Sequence, residues 1–148
     1  MQSAMAAASE LNAELGRTLR LGHLAAAHAN SGKPEVGLAL LDEAILNVEQ
    51  TQERLFEAEL HRLRGELNLK LDRTRDAQAA LEQALAVARG QEARMWELRA
   101  SITLSRLVAK QGRSRAAHDI LEPVFHCFTE GFDTPDLKEA RALLNELG

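Results

Sequence analysis

The feature that most constrains the fold is an internal repeat with a period of forty residues. Small residues recur as the pairs Ala25/Gly37, Gly65/Ala77 and Ser105/Ala117, and they are followed by Leu41 and Ala44, Leu81 and Ala84, and Leu121 and Val124. Each pair of small residues brackets a short polar turn, at residues 32–35, 72–75 and 112–115. A repeat of this length is typical of a stacked array in which every unit is one supersecondary element.

Each repeat contains two predicted helices, because Leu and Ala recur at helical spacing on both sides of the turn. We predict helix pairs over residues 9–50, 53–90 and 92–129, and a seventh helix over residues 134–147. The predicted N-caps are Ser9, Thr74, Ser114 and Thr134. Pro123 lies inside the sixth predicted helix and should kink it near Glu122.

Glycines at positions 16 and 22 fall inside the first predicted helix. Each costs about 1 kcal/mol relative to Ala. Either a neighbouring helix comes close to these positions or the first helix frays.

The composition favours an all-α fold. Apolar residues make up 45% of the 148 residues but aromatic residues only 3%, so Leu and Ala must fill the core, which suits close-set helices better than a sheet. We therefore predict a single all-α domain over residues 1–148, a right-handed solenoid of three antiparallel helix pairs. The seventh helix would be a C-terminal cap that covers the apolar face of the last pair.

Charge and cysteine content narrow the class of protein. The net charge is −4, which makes nucleic acid an unlikely partner. Residues 54–115 nevertheless carry thirteen basic and eight acidic side chains, between two acidic ends. No apolar run approaches the roughly 20 residues that span a bilayer, residues 1–8 lack the basic-then-apolar layout of a secretory signal, and the lone Cys127 cannot form an internal disulfide. We expect a cytoplasmic protein, with Cys127 as a small buried apolar residue.

The small–small–large–small pattern resembles the tetratricopeptide repeat. In that family a small residue of the first helix meets a small residue of the second, and the two backbones approach closely. The period here is forty rather than thirty-four residues. Leu21, His61 and Ser101 stand where the family has an aromatic residue, and its proline at the end of the repeat is missing.

A narrower resemblance covers residues 60–148. Its segments are Leu63-Arg64-Gly65-Glu66-Leu67, Trp96-Glu97-Leu98-Arg99-Ala100, Gln111-Gly112-Arg113 and residues 128–137 (FTEGFDTPDL). They look like the C-terminal repeat region of large bacterial signalling proteins, in which a class III nucleotide cyclase or a DNA-binding domain precedes a signalling ATPase. The resemblance implies a regulatory, protein-binding module of such a protein; it does not imply that this chain is itself an enzyme.

The sequence carries no set of residues for catalysis, and we expect no enzyme activity and no cofactor. The only Gly-Lys step, at residues 32–33, has Ala27 where a phosphate-binding loop needs a glycine and Pro34 where it needs a hydroxyl. His118, Glu122 and His126 have a spacing that could hold zinc; we interpret them instead as three polar surface residues on a kinked helix. We expect no metal.

The first helix of each pair lines the concave surface of such a stack. The residues predicted to face a protein or acidic peptide partner are Arg62, Glu66, Lys70, Arg99, Arg106 and Lys110, and the first pair contributes the more apolar Leu19, Gly22, Ala26 and Asn30. The basic residues would bind carboxylates. They could equally be a solvated helix face, paired with Glu59, Glu66 or Glu97.

Two further interpretations stay open. The apolar first pair, with Leu19, Ala26 and Ala29, could pack against a second copy to form a homodimer. Trp96 is expected to wedge between adjacent helix pairs rather than to contact a ligand.

Overall fold

The computed structural model describes residues 2–148, with side chains at all of them except positions 2, 14 and 15. Over that range the chain is entirely helical apart from turns and contains no strand. The seven helices are α1 (Gln2–Asn30), α2 (Pro34–Thr51), α3 (Glu57–Lys70), α4 (Thr74–Gly90), α5 (Arg94–Lys110), α6 (Ser114–Phe125) and α7 (Pro135–Leu147). Consecutive helices pack as the pairs α1/α2, α3/α4 and α5/α6, which confirms the predicted all-α class.

Several predicted helix ends are wrong. Ser9 is not an N-cap, because α1 already begins at Gln2. Thr74 and Ser114 are the first helical residues, and the N-cap positions before them belong to Arg73 and Arg113. Thr134 does occupy the N-cap of α7 with an extended backbone, as predicted.

Pro123 has a stronger effect than the predicted kink. The helix was expected to continue to residue 129, but α6 ends at Phe125, two residues after the proline. Proline lacks a backbone N–H and its ring crowds the preceding turn. Its position near the end of α6 limits that cost, because few residues follow it in the helix.

The turn inside each pair has the same structure three times. Residues 32, 72 and 112 all have a positive φ, of 80°, 56° and 80°. In each turn the next N–H donates to the carbonyl five residues earlier, as Lys33 to His28, Arg73 to Asn68 and Arg113 to Val108, at 2.8, 2.9 and 3.2 Å. These bonds satisfy carbonyl groups at the end of the first helix.

The predicted close approach within the pairs is confirmed. A Cβ added at Gly65 would lie 2.6 Å from Cγ of Leu81 and 3.3 Å from the carbonyl oxygen of Ala77. A Cβ at Gly37 would lie 2.7 Å from the carbonyl oxygen of Ala25. In the third pair the Ser105 hydroxyl donates to the carbonyl of Ala117. Small side chains at these positions therefore set the separation of the two helices in each pair.

The core continues from pair to pair. One apolar cluster joins α1 and α2 to α3 through Leu41, Leu60 and Leu67, and a second joins α4 to α5 and α6. A third cluster packs α7 against α5 and α6. Since every pair contacts the next, the face formed by α1, α3, α5 and α7 is continuous; we call it the first-helix face.

The residues at one repeat position, Leu21, His61 and Ser101, are all buried. Leu21 and His61 are each 9% exposed, and Ser101 is fully buried. Burial lowers the pKa of His61 below its ordinary value, although the carboxylate of Glu57, 4.0 Å from its Nε2, acts in the opposite direction. In the second and third repeats this position therefore carries a polar group inside the stack.

None of the helices described here is both long and apolar enough to cross a membrane.

Candidate partner-binding surface

Three adjoining depressions follow the first-helix face. The apolar cavity, of about 240 Å³, lies between α1, α3 and α5; its lining includes Leu19, Gly22, Ala26, Phe56, Leu63 and Trp96. The ion-paired cleft is lined by Arg62, Glu66, Arg99, Arg106, Asp136 and Glu139. The lysine cleft contains Asn30, Lys70, Thr74, Lys110 and Gln111. Arg99 belongs to the first two depressions, and Glu66 and Arg106 to the last two, so the three form one surface.

All six predicted binding residues lie on this surface, but their charges are not equally available. Arg62 donates to both carboxylate oxygens of Glu59, at 2.7 and 2.8 Å, and also to Glu66. Its side chain is only 15% exposed. Burial by itself would lower the pKa of the Arg62 guanidinium, but the hydrogen bonds and negative charges of Glu59 and Glu66 raise it above the ordinary value. Arg62 is thus a fixed, neutralised part of the surface.

The other two arginines are paired with acidic residues of α7. Arg99 donates to Asp136 at 3.0 Å, and its guanidinium lies 5.3 Å from the centre of the Trp96 ring. Arg106 pairs with Glu139. The arginine part of the surface is therefore less basic than the sequence alone indicates, because α7 supplies carboxylates to it.

Lys70 and Lys110 occupy equivalent positions at the ends of α3 and α5, forty residues apart. Both are exposed, and among the described side chains neither has a carboxylate within 4 Å. Asp72 also lines the lysine cleft. A carboxylate of a partner can pair with either ammonium group here without displacing an existing ion pair.

The apolar cavity confirms the expected apolar character of the first pair on this face. Leu19 is 39% exposed although it is a large apolar residue. Ala29, which we had placed beside it as an exposed residue, is instead buried in the core. Phe56 and Trp96 meet edge to face, with ring centres 6.4 Å apart, so Trp96 does lie between successive pairs as predicted while it also lines the cavity.

The remaining candidates are placed elsewhere. Glu122 lies between two histidines, 3.5 Å from Nδ1 of His118 and 3.6 Å from Nε2 of His126. Among the described side chains, however, no group of three or more potential ligands has a geometry that could hold a metal ion. Cys127 is exposed, so its predicted burial is wrong; it lies just beyond the early end of α6.

Two parts of the surface were missed by reasoning from the sequence. One is the contribution of Asp136 and Glu139, since α7 was considered only as an apolar cover. A signal was present: Glu59, Arg99 and Glu139 are spaced by forty residues, so opposite charges alternate at one repeat position. The other is the cavity itself, whose walls come from three different helices.

No protein-family model matches the chain, and no curated protein matches it.

Proposed function

We propose that this chain is a tetratricopeptide-like interaction module that binds a protein or peptide partner along the first-helix face. In this proposal the three pairs are antiparallel and stack as a right-handed solenoid, with α7 as the C-terminal cap. The observation that carries the proposal is the continuity of the three depressions across α1, α3 and α5. A cleft of that length suits an extended segment better than a small molecule.

The partner is proposed to be acidic where it passes the lysine cleft. Lys70 and Lys110 offer donors with no competing carboxylate within 4 Å among the described residues. Charge-assisted hydrogen bonds to a carboxylate are about twice as strong as neutral ones. Arg62, Arg99 and Arg106 contribute mainly to the shape of the surface. A new ion pair with the partner would require breaking their existing ion pairs, and that cost offsets part of the binding free energy.

The biological setting rests on the resemblance of residues 60–148 to the repeat region of bacterial signalling proteins. We propose a regulatory role in such a protein, in the cytoplasm, with no catalysis by this chain. The clustering of the binding residues on one face supports a role in recognition.

Selection from a displayed library of random twelve-residue peptides tests the proposal. The wild-type chain should enrich peptides that contain Asp or Glu, and the double variant K70E/K110E should lose them. The matched control is K33E/K138E, which makes the same charge change at two exposed lysines outside the three depressions. Equal enrichment by both double variants would refute the binding surface.

Self-association is a second candidate, favoured by one observation. Met5, Leu11 and Leu24 of α1 are 72, 47 and 49% exposed, although large apolar side chains are most often buried. Light scattering at increasing concentration separates the candidates. A dimer that dissociates in the variant M5E/L11E would favour self-association through α1, and a monomer at all concentrations would exclude it.

A further inference from the structure

The apolar cavity has a simple origin in the repeat. Positions equivalent to Gly22 and Ala26 are occupied by Arg62 and Glu66 in the second repeat. In the third repeat they are Ile102 and Arg106. The long side chains fill the first-helix face of α3 and α5, whereas α1 presents only a hydrogen atom and a methyl group at the same places. The cavity therefore exists because the first repeat lacks two side chains.

We propose that this cavity is the anchor subsite of the partner-binding surface and takes one bulky apolar side chain, such as Leu or Phe, of an acidic peptide. This inference rests on the function proposed above and adds the partner's sequence requirement to it. The cavity is open to solvent, and Leu19, Leu63, Phe56 and Trp96 line it with carbon. A cavity of about 150 Å³ with similar walls accommodates benzene, so about 240 Å³ is enough for one such side chain.

The distribution of charged residues around the cavity indicates where the bound peptide should carry its acidic residue. On the side of the cavity toward α7, Arg99 and Glu59 already satisfy each other and their neighbours. The same surface carries Lys70 and Lys110 in the lysine cleft, and neither has a carboxylate within 4 Å among the described side chains. An occupant complementary to the whole surface therefore has an apolar residue at one end and an acidic residue at the other.

The length of α5 sets the distance between these two residues. Trp96 at the cavity and Lys110 in the lysine cleft are fourteen residues apart on one helix, and a rise of about 1.5 Å per residue gives about 21 Å. An extended peptide covers about 3.3 Å per residue. The anchor and the acidic residue should thus be about six positions apart.

The decisive experiment compares two adjacent alanines of α1. A26L places a side chain into the cavity, whereas A27L adds the same side chain at an exposed position that does not line it. The displayed twelve-residue library is selected against the wild type and both variants. The wild type and A27L should enrich peptides with a bulky apolar residue five to seven positions from Asp or Glu, and A26L should keep only the acidic preference.

A synthetic peptide with the wild-type consensus gives the magnitude. Burying one Leu or Phe side chain corresponds to roughly a tenfold to hundredfold change in affinity, so A26L should bind it at least tenfold more weakly than A27L. Replacing the apolar residue of the peptide by Ala should cause a similar loss with the wild-type chain, which keeps the test valid if A26L does not fold. Trp96, the only tryptophan, should change its emission when the anchor enters.

The outcomes separate the two proposals. Acidic peptides without an apolar consensus, equally bound by A26L and A27L, would overturn the anchor subsite and leave the proposed function intact. Absence of any enrichment by the wild type would overturn both. Enrichment of apolar residues at random distances from the acidic residue would refute the spacing of about six positions.

Discussion

Two serines of α5 provide a sharp test of how polar groups contribute to this fold. Ser101 and Ser105 lie four residues apart on one helix, and both are fully buried. The Ser105 hydroxyl donates to the carbonyl of Ala117, whereas the Ser101 hydroxyl has no hydrogen-bond partner among the described residues. The same substitution to Ala should therefore stabilise the chain at position 101 and should not stabilise it at position 105.

The magnitudes follow from what each hydroxyl loses. A buried hydroxyl without a partner costs about 1–3 kcal/mol, and Ala is the better helix former by about 0.5 kcal/mol, so S101A should raise the free energy of unfolding by about 1.5–3.5 kcal/mol. S105A removes a hydrogen bond worth about 1 kcal/mol, partly offset by the same gain in helix propensity. It should be neutral or destabilising by up to about 1 kcal/mol.

Urea denaturation followed by circular dichroism and by Trp96 fluorescence measures both values. A difference of about 2 kcal/mol between the variants would move the midpoint of thermal unfolding by roughly 4–8 °C for a chain of this size. If S101A proves as destabilising as S105A, the Ser101 hydroxyl has a partner in solution and the reasoning is wrong.

Three further predictions concern stability. G22A should stabilise the chain by up to about 1 kcal/mol, because a Cβ at Gly22 would meet Leu60 at an ordinary distance of 3.5 Å. G16A, at a position that contacts only its own helix, should give the same gain in urea titrations. A loss of stability at position 22 alone would show that α3 lies closer than described. D72G should raise the free energy of unfolding by about 0.5–1 kcal/mol, because residue 72 has a φ of 56°, which glycine adopts without the steric cost of a Cβ. D72A keeps a Cβ and should not raise it. Equal effects of the two substitutions would refute the conformational explanation. The free energy of unfolding should fall as the pH drops below about 6.5, the ordinary pKa of histidine. Burial lowers the pKa of folded His61, so the unfolded chain binds the proton more readily than the folded one. H61Q should lose this pH dependence, and an unchanged pH profile in H61Q would assign the dependence to other groups.

Much of the fold could be predicted from the sequence because its determinants are local or periodic. Leu and Ala at helical spacing give seven helices, and the forty-residue offset places the turns at positions 32, 72 and 112. The offset identified Gly65 and Ala77 as recurring small residues, and the resemblance to the tetratricopeptide repeat implied that they meet. The ends of the helices were less predictable, because capping and Pro123 compete with the apolar pattern over one or two residues.

The candidate surface was predicted in position but not in charge. Helical spacing is enough to place Arg62, Arg99 and Lys110 on one face, and the structure keeps them there. Whether an arginine is free depends on which acidic residues fold back against it. Asp136 reaches Arg99 from 37 residues further along the chain, and no local pattern encodes that distance.

The sequence by itself determined that this chain is a series of helix pairs, because side-chain size and apolar period act within each repeat. What the shared face offers a partner depends on contacts between repeats. The apolar cavity needs Gly22, Phe56 and Trp96 to meet from three segments, and α7 supplies the carboxylates that pair with Arg99 and Arg106. Burial and ion pairing depend on which residues are close in space, and the packing of successive helix pairs determines those contacts.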